Sequence, residues 1–199
     1  MGTDVTKFSC EWINSTPPNT KIVAELNSFR QELFDMGLIG IDSNGFGFGN
    51  LSKRLLGSEF LITGTQTGGM PVLDNTHYTN ILDYSLENNS IVCIGSIQAS
   101  SETLTHAALY HADNNIKCIA HVHHLKAWLD LINKFPTTNM EIEYGTPDMA
   151  KEMIDLYSKG TFNKDLAFVM GGHKEGFIIF GNSIQETRER IHTIFNSYL

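Results

Sequence analysis

Two apolar segments near the C-terminus, 166–170 and 176–180, are separated only by a short break that contains Gly171-Gly172-His173. A crossover between parallel strands needs a dozen or more residues, so this break is too short for a βαβ unit. Helical segments nevertheless alternate with strands along the rest of the chain. The sequence therefore predicts an α/β fold with a mixed sheet flanked by helices rather than a doubly wound one.

Apolar residues at helical spacing mark the first predicted helix, over 20–36: Ile22, Leu26, Phe29, Leu33 and Met36 recur three or four positions apart. Asn19 or Thr20 can cap its start, and Gly37 ends it. The second helix, 101–112, is opened by Ser100-Ser101-Glu102, with a serine as N-cap. Further helices are predicted over 127–132, 147–157 and 184–195, and strands over 60–63, 90–94, 116–123, 166–170 and 176–180.

The length of 199 residues fits one domain, so the whole chain, 1–199, is expected to form a single domain with an irregular segment over 1–19. The net charge is −8, from 14 basic and 22 acidic residues, which disfavours nucleic acid and anionic membranes as partners. The three cysteines, at wide and irregular spacing, match no disulfide framework. No signal-peptide core or membrane-spanning run is evident, so a cytoplasmic protein is expected.

Three histidines stand together where the predicted strand 116–123 ends: His121, His123 and His124. Alternate side chains of a strand share a face, so His121 and His123 lie side by side, and His124 falls on the opposite, apolar face. Two imidazoles at this spacing can bind one divalent ion, and a zinc site with open positions needs about one more ligand. The alternative is a pair of hydrogen-bonded surface histidines.

His173 is the candidate for the third ligand, because glycines on both sides of it let the backbone approach closely at a tight turn. The alternative is a histidine that faces solvent. Glu102, at the start of the second helix, is the candidate acid–base residue, although a carboxylate there is often only a partner of the helix dipole. Glu102 and His106 share one helical face and could themselves be metal ligands.

Three segments rich in hydroxyl and backbone N–H donors suggest a phosphate or sugar-phosphate site. They are Ser100-Ser101 at a helix start, Gly49-Asn50-Leu51-Ser52, and Thr65-Gln66-Thr67-Gly68. Without a phosphate, the two loops are merely turns. The glycines at 45, 47 and 49 do not form a dinucleotide fingerprint, since no helix follows them directly.

Taken in chain order, these motifs resemble the class II aldolase/adducin family, which includes fuculose-phosphate aldolase, ribulose-phosphate 4-epimerase and methylthioribulose-phosphate dehydratase. The matching segments are Gly49-Asn50-Leu51-Ser52-Lys53-Arg54, Phe60-Leu61-Ile62-Thr63 with its glycine loop, Ser100-Ser101-Glu102 with His106, His121-Val122-His123, and Gly172-His173. They span roughly residues 37–181.

The resemblance implies a three-layer α/β/α fold with a central, largely antiparallel sheet, and a homotetramer with active sites between subunits. His121, His123 and His173 would hold zinc or another divalent ion such as manganese or cobalt, and Glu102 would be the catalytic acid–base residue. The residues implied around a substrate phosphate are Gly49, Asn50, Thr67, Gly68, Ser100 and Ser101.

The function expected from this resemblance is that of a lyase in carbohydrate metabolism. It would cleave a C–C bond of a small sugar phosphate or similar hydroxy-carbonyl compound through a metal-stabilised enediolate. Three alternatives stay open on the sequence: an epimerase or dehydratase of a ketose phosphate at the same site, a non-catalytic adducin-like interaction domain, and an unrelated metal-dependent hydrolase.

Overall fold

The computed structural model describes residues 7–160 and 167–199. The strands within these described residues are β1 (Ser9–Asn14), β2 (Gly40–Ile41), β3 (Gly47–Phe48), β4 (Asn50–Arg54), β5 (Phe60–Thr63), β6 (Tyr78–Ser85), β7 (Ser90–Gly95), β8 (Cys118–His123), β9 (Ala167–Val169) and β10 (Gly176–Gly181). The α-helices are α1 (Thr20–Asp35), α2 (Thr103–Ala112), α3 (Leu125–Leu131), α4 (Pro147–Ser158) and α5 (Ile184–Phe195).

Eight of these strands form one sheet in the order β1-β7-β6-β5-β4-β8-β10-β9, while β2 and β3 form a separate small hairpin. In the eight-stranded sheet β1 runs parallel to β7, and every other neighbouring pair is antiparallel. The predicted mixed, largely antiparallel sheet is therefore confirmed, and the short 170–176 connection joins the antiparallel neighbours β9 and β10, as its length requires.

Helices cover both faces of the sheet, which gives the three predicted α/β/α layers. On one face α1, α3 and α5 bury apolar side chains such as Leu26, Trp128 and Ile191 against Ala120 and Val122 of β8. On the other face α2 and α4 bury a second core against Ile119, the strand residue that points the opposite way. Within the described ranges, no helix is long and apolar enough to cross a membrane.

The helix α1 follows the predicted apolar stripe except at its first turn. Leu26, Phe29 and Leu33 are fully buried, whereas Ile22 is 44% exposed and Val23 is buried in its place. The helix has 3.6 residues per turn, so positions 22 and 23, four and three residues before Leu26, can both lie on its side of the helix. In the structure Val23 faces the sheet and Ile22 faces solvent. Asn19 caps the helix by accepting a hydrogen bond from the Lys21 N–H at 2.9 Å.

The expectation that residues 1–19 are irregular is wrong for Ser9–Asn14, which form the edge strand β1. Backbone pairing with β7, from Ser9 opposite Ser90 to Asn14 opposite Gly95, makes this a strand. Most of its side chains are exposed on both sides of the sheet edge, so no buried-exposed alternation marked it in the sequence. Residues 1–6 and Leu166, part of a predicted strand, lie outside the described residues.

The stripe on α1 generates a stability prediction. Leu26→Ala should lower the free energy of unfolding by about 2–5 kcal/mol, because it leaves a cavity between α1 and the sheet. Ile22→Ala, on the exposed side of the same helix, should change it by less than about 0.5 kcal/mol. Urea unfolding of the two variants measures both values, and an equal loss for the pair would contradict this packing.

Candidate active site

The strand β8 carries His121 and His123 on the face of the sheet covered by α2 and α4. Pairing with the neighbouring strands fixes the position of the two histidines along the sheet. His121 lies opposite Asn50 of β4 on one side and Ile178 of β10 on the other, and His123 lies opposite Gly176 of β10. Cys118, Ala120 and Val122 point to the other core, as the period of two requires. The predicted side-by-side placement of the two histidines is confirmed.

The turn between β9 and β10 brings His173 to the same place, and it depends on two glycines. A β-carbon on Gly172 would lie 1.9 Å from the carbonyl oxygen of Ile142, and one on Gly176 would lie 2.7 Å from Cδ2 of His173. Glycine is thus required where this turn packs against the 139–146 loop and against the His173 ring itself.

The three rings converge on one point. His123 Nε2 lies 3.2 Å from His121 Nε2 and 3.0 Å from His173 Nε2. One potential ligand atom from each ring lies within 4.8 Å of the others. Tetrahedral zinc with zinc–nitrogen bonds of about 2.0–2.1 Å places ligand nitrogens about 3.3 Å apart, so the three imidazoles fit a single ion after small adjustments.

The protonation state of the rings suits that role. Burial lowers the pKa of His123 to about 4 and the pKa of His173 to about 3, and it lowers the pKa of His121 well below its ordinary value. Neighbouring imidazoles lower the pKa values of His121 and His173 further, because two positive charges at this distance repel. The three rings are therefore neutral at pH 7 and have a lone pair available for an ion.

Aromatic side chains hold two of the rings in place. Phe48 of the small hairpin stacks on His123 with ring centroids 4.9 Å apart, and Tyr144 lies on His173 at 4.2 Å. The ammonium group of Lys7 sits over the Tyr144 ring, 4.3 Å from its centre. No local sequence pattern predicts these contacts, because the residues that make them lie far apart in the chain.

The buried amide of Asn50 lies between the histidines and the start of α2. Its Nδ2 is 3.1 Å from Ser100 Oγ and 3.3 Å from His121 Nδ1, and among the described residues its Oδ1 has no partner. An amide turned by 180° exchanges oxygen and nitrogen at the same place. Metal binding through Nε2 requires the His121 proton on Nδ1, so with an ion bound we expect Asn50 Oδ1 to accept a hydrogen bond from the Nδ1–H group.

Glu102 stands at the N-cap position of α2 and is 2% exposed. One of its oxygens, Oε2, accepts a hydrogen bond from the Thr105 hydroxyl at 2.8 Å. The predicted serine N-cap is wrong: the helix begins at Thr103, and the Ser100 hydroxyl instead accepts from the Glu102 N–H at 3.4 Å. The chain thus enters α2 through a turn that directs the carboxylate inward.

His106, the other residue of the alternative ligand pair, belongs to a separate buried network. Ser52 Oγ lies 2.7 Å from His106 Nδ1 and 2.8 Å from the Tyr110 hydroxyl. Burial lowers the pKa of His106 to about 3. Among the described residues, the cluster able to hold an ion consists of His121, His123 and His173, without Glu102 or His106.

The histidine cluster and Glu102 open into one cavity of about 1020 Å³. Each site residue predicted from the sequence lines it: Gly49, Asn50, Thr67, Gly68, Ser100, Ser101, Glu102, His121, His123 and His173. The structure therefore brings together three histidines, a buried carboxylate and the donor-rich segments, from strands and loops up to 124 positions apart in sequence (173 − 49). What each residue binds is a question of function.

Comparison with protein families adds an independent observation. Residues 41–197 match the model of the class II aldolase and adducin N-terminal domain. The chain belongs to this family. The match begins within the small hairpin β2–β3 and ends after α5, so it contains every one of the ten predicted site residues. Comparison with curated proteins found no significant match.

Solved structures share the fold at low sequence identity. A sugar-phosphate aldolase from Thermotoga maritima is 19% identical, with a TM-score of 0.67 over 89% of this chain and 91% of that one. YgbL from Escherichia coli is 18% identical, with a TM-score of 0.65 over 89% and 86%. An l-fuculose-1-phosphate aldolase from Thermus thermophilus is 20% identical, with a TM-score of 0.58 over 89% and 91%.

The histidine cluster generates a prediction about metal content. His123→Ala should lose zinc affinity by more than about 100-fold, because its nitrogen lies between the other two and outer residues alone account for 10–100-fold. His111→Ala, which removes an exposed histidine at the end of α2, should bind zinc as the unmodified protein does. Competition with a chromophoric chelator measures both, and equal affinities would contradict the site.

The contact between the Asn50 amide and the His121 ring generates a second prediction about metal binding. Asn50→Ala should weaken zinc binding by about 10–100-fold, because the His121 ring loses the acceptor that fixes its tautomer. Asn27→Ala is the matched control: this amide of α1 also makes two hydrogen bonds, to the Leu73 carbonyl and the Tyr78 hydroxyl. The same chelator competition applies, and unchanged affinity in Asn50→Ala would show that the amide does not orient the ring.

Proposed function

We propose that this protein is a metal-dependent lyase that cleaves a C–C bond of a small sugar phosphate or a similar hydroxy-carbonyl compound. The observation that carries the proposal is the convergence of three neutral imidazoles in the same cavity as a buried carboxylate. Membership of the class II aldolase and adducin family supports it, and the names of two structural relatives, both aldolases of sugar phosphates, indicate the substrate class.

His121, His123 and His173 would hold the ion, which we propose to be zinc, manganese or cobalt, since imidazoles accept all three. A bound divalent ion supplies Lewis-acid stabilisation to substrate oxygens. Three protein ligands would leave further coordination positions of the ion available to substrate oxygens. Phe48 and Tyr144 keep the rings of His123 and His173 in place through their stacking contacts.

Glu102 is the residue we propose to move the proton. Its carboxylate is almost completely buried, and the Thr105 hydroxyl holds Oε2. A positioned carboxylate of this kind contributes typically about 10²–10⁴-fold to a rate through general acid–base catalysis. In a C–C cleavage it would accept the proton of a substrate hydroxyl group as the bond breaks and return a proton to carbon afterwards.

The anionic end of the substrate would lie against the hydroxyl, amide and backbone N–H donors that line the cavity. Asn50 and Ser100 contact each other at 3.1 Å, and Ser101, Thr67 and Gly68 line the same cavity. Hydroxyl, amide and backbone N–H groups bind phosphate oxygens without a full positive charge on the surface. This arrangement would fix the substrate at one end and present its hydroxy-carbonyl group to the histidines.

An exchange experiment tests the reaction class. With dihydroxyacetone phosphate in deuterated water, the zinc-loaded protein should exchange a C–H proton, and treatment with a strong chelator should abolish the exchange; proton NMR measures both. An epimerase or dehydratase acting at the same site would also exchange this proton, and a screen of phosphorylated and free ketoses separates those reactions from cleavage. Absence of exchange with zinc bound would favour a hydrolase or an adducin-like binding domain.

The proposed base has its own test. Glu102→Gln should keep its zinc and lose exchange by about 10²-fold or more, because the amide cannot accept the proton. Glu186→Gln is the matched control, since Glu186 is also an acid at a helix start, in the first turn of α5, and it pairs with Arg190 at 2.5 Å. Exchange at the original rate in Glu102→Gln would rule this carboxylate out as the base.

We also propose a homotetramer, with the cytoplasm as its location. The cavity is lined in part by three exposed apolar side chains: Ile41 is 58%, Phe46 is 52% and Met70 is 40% exposed. Exposed apolar side chains grouped in this way support a contact with a neighbouring subunit beside the cavity. Light scattering coupled to size-exclusion chromatography measures the subunit number.

A further inference from the structure

The guanidinium of Arg30 lies inside the molecule, beneath the loop that lines the cavity. Arg30 projects from α1 and is 1% exposed. Its Nη2 donates to the carbonyl oxygens of Thr67 and Gly68, each at 2.9 Å, and its guanidinium stacks over Phe34 at 4.6 Å. Within the described part of the chain it forms no ion pair, and its Nη1 is buried without a partner.

The two hydrogen bonds from Arg30 help to fix where the loop directs its N–H groups, and the Thr67 carbonyl also accepts a hydrogen bond from the Met70 N–H at 3.2 Å. In a trans peptide the C=O and N–H bonds point in opposite directions. The carbonyl of Thr67 shares its peptide with the N–H of Gly68, and the carbonyl of Gly68 shares its peptide with the N–H of Gly69. Because Nη2 holds both carbonyls, both N–H groups point away from the guanidinium.

The space beside those nitrogens is open because residue 47 is a glycine. A β-carbon on Gly47 would lie 3.2 Å from the Gly69 nitrogen and 3.3 Å from the Gly68 nitrogen. Neither N–H donates a hydrogen bond within residues 7–160 and 167–199. Gly47, Gly68 and Gly69 all line the cavity that contains the histidine cluster. The loop therefore presents two adjacent, unused donors to the cavity.

The charge of Arg30 adds to this arrangement. A guanidinium stays protonated in proteins, and a buried charge without a counter-ion is unfavourable. The loop residues whose carbonyls Arg30 holds, Thr67 and Gly68, also line the cavity. An anion bound there would receive the two N–H groups and offset the buried cation one peptide behind them.

We propose that Arg30 is a positioning residue that makes the Thr67–Gly69 loop selective for a phosphate group. It would do so by holding the carbonyls of both peptides and by placing behind them a buried positive charge that forms no ion pair within the described residues. This rests on the proposed function, since it concerns the anionic end of the same substrate, and it assigns that selectivity to a residue on a helix outside the cavity.

The chain contains a matched control for a buried arginine of purely structural role. Arg54 is also buried and stacked on an aromatic ring, Tyr110, at 4.6 Å, and it also donates to backbone carbonyls, those of Ile116 and Asp113 among them. In the part of the chain that the structure describes, the carbonyls that it contacts, those of Ile116, Gly57, Tyr110 and Asp113, belong to residues that do not line the cavity. Arg54→Met therefore reproduces the loss of a buried guanidinium without touching the loop.

The test measures inorganic phosphate binding to the zinc-loaded full-length protein by isothermal titration calorimetry at constant ionic strength. Arg30→Met should weaken phosphate binding by about 10-fold or more, as expected when a charged hydrogen-bond partner is lost. Arg30→Lys, which keeps the charge, should recover most of that loss, and Arg54→Met should bind phosphate within about twofold of the unmodified protein. Gly47→Ala, which fills the space before the two N–H groups, should also weaken binding.

Two results would overturn the proposal: phosphate binding in Arg30→Met equal to that in Arg54→Met, or no phosphate binding by the unmodified protein. If Arg30→Met does not fold, Arg30→Gln, which keeps a donor and removes the charge, takes its place with the same expectation. Because no turnover is needed, this outcome is independent of proton exchange at the histidines. A protein that binds phosphate through Arg30 but exchanges no proton would retain this inference and lose the lyase proposal.

Discussion

The register of β8 between β4 and β10 is the constraint on which the rest of the site depends. It sets His121 opposite Asn50 and sets His123 opposite Gly176, next to the turn that carries His173. A slip of one residue would turn both histidines toward α1 and α5 and would place Val122 in the cavity, because strand side chains alternate. Full burial of Ala120 and Val122 on the other face makes such a slip costly. The apolar core thus fixes the polar site.

Several ionisable side chains are buried in or next to the cavity. The three imidazoles of the histidine cluster are neutral. The Glu102 carboxylate is buried at the start of α2, and the Arg30 guanidinium is buried behind the Thr67–Gly69 loop. Buried charged groups usually pair with each other, and here the Arg30 guanidinium forms no ion pair within the described ranges. The proposed ion at the histidines and the proposed anion at the Thr67–Gly69 loop would complement this distribution of charge.

Local patterns accounted for much of this arrangement. The side-by-side placement of His121 and His123 followed from the period of two, and the antiparallel pair β9–β10 followed from the length of its connection. Local patterns failed where contacts are long-range. The strand Ser9–Asn14 exists because it pairs with β7, and its own side chains carry no alternation. Ile22 and Val23 fit the apolar stripe of α1 equally well by their spacing. Packing of the helix against the sheet decides that Val23 is buried and Ile22 is exposed.

By itself the sequence determined which residue types could carry the chemistry, because His-x-His on a strand, a glycine-flanked histidine and a carboxylate at a helix start are each local patterns. Only the tertiary structure decided that their atoms meet, with ring nitrogens 3.0 and 3.2 Å apart. It also decided the supporting contacts of Phe48, Tyr144 and Arg30. Stacking and buried hydrogen bonds of that kind join positions remote in the chain, and their geometry is set by how the layers pack rather than by any spacing along it.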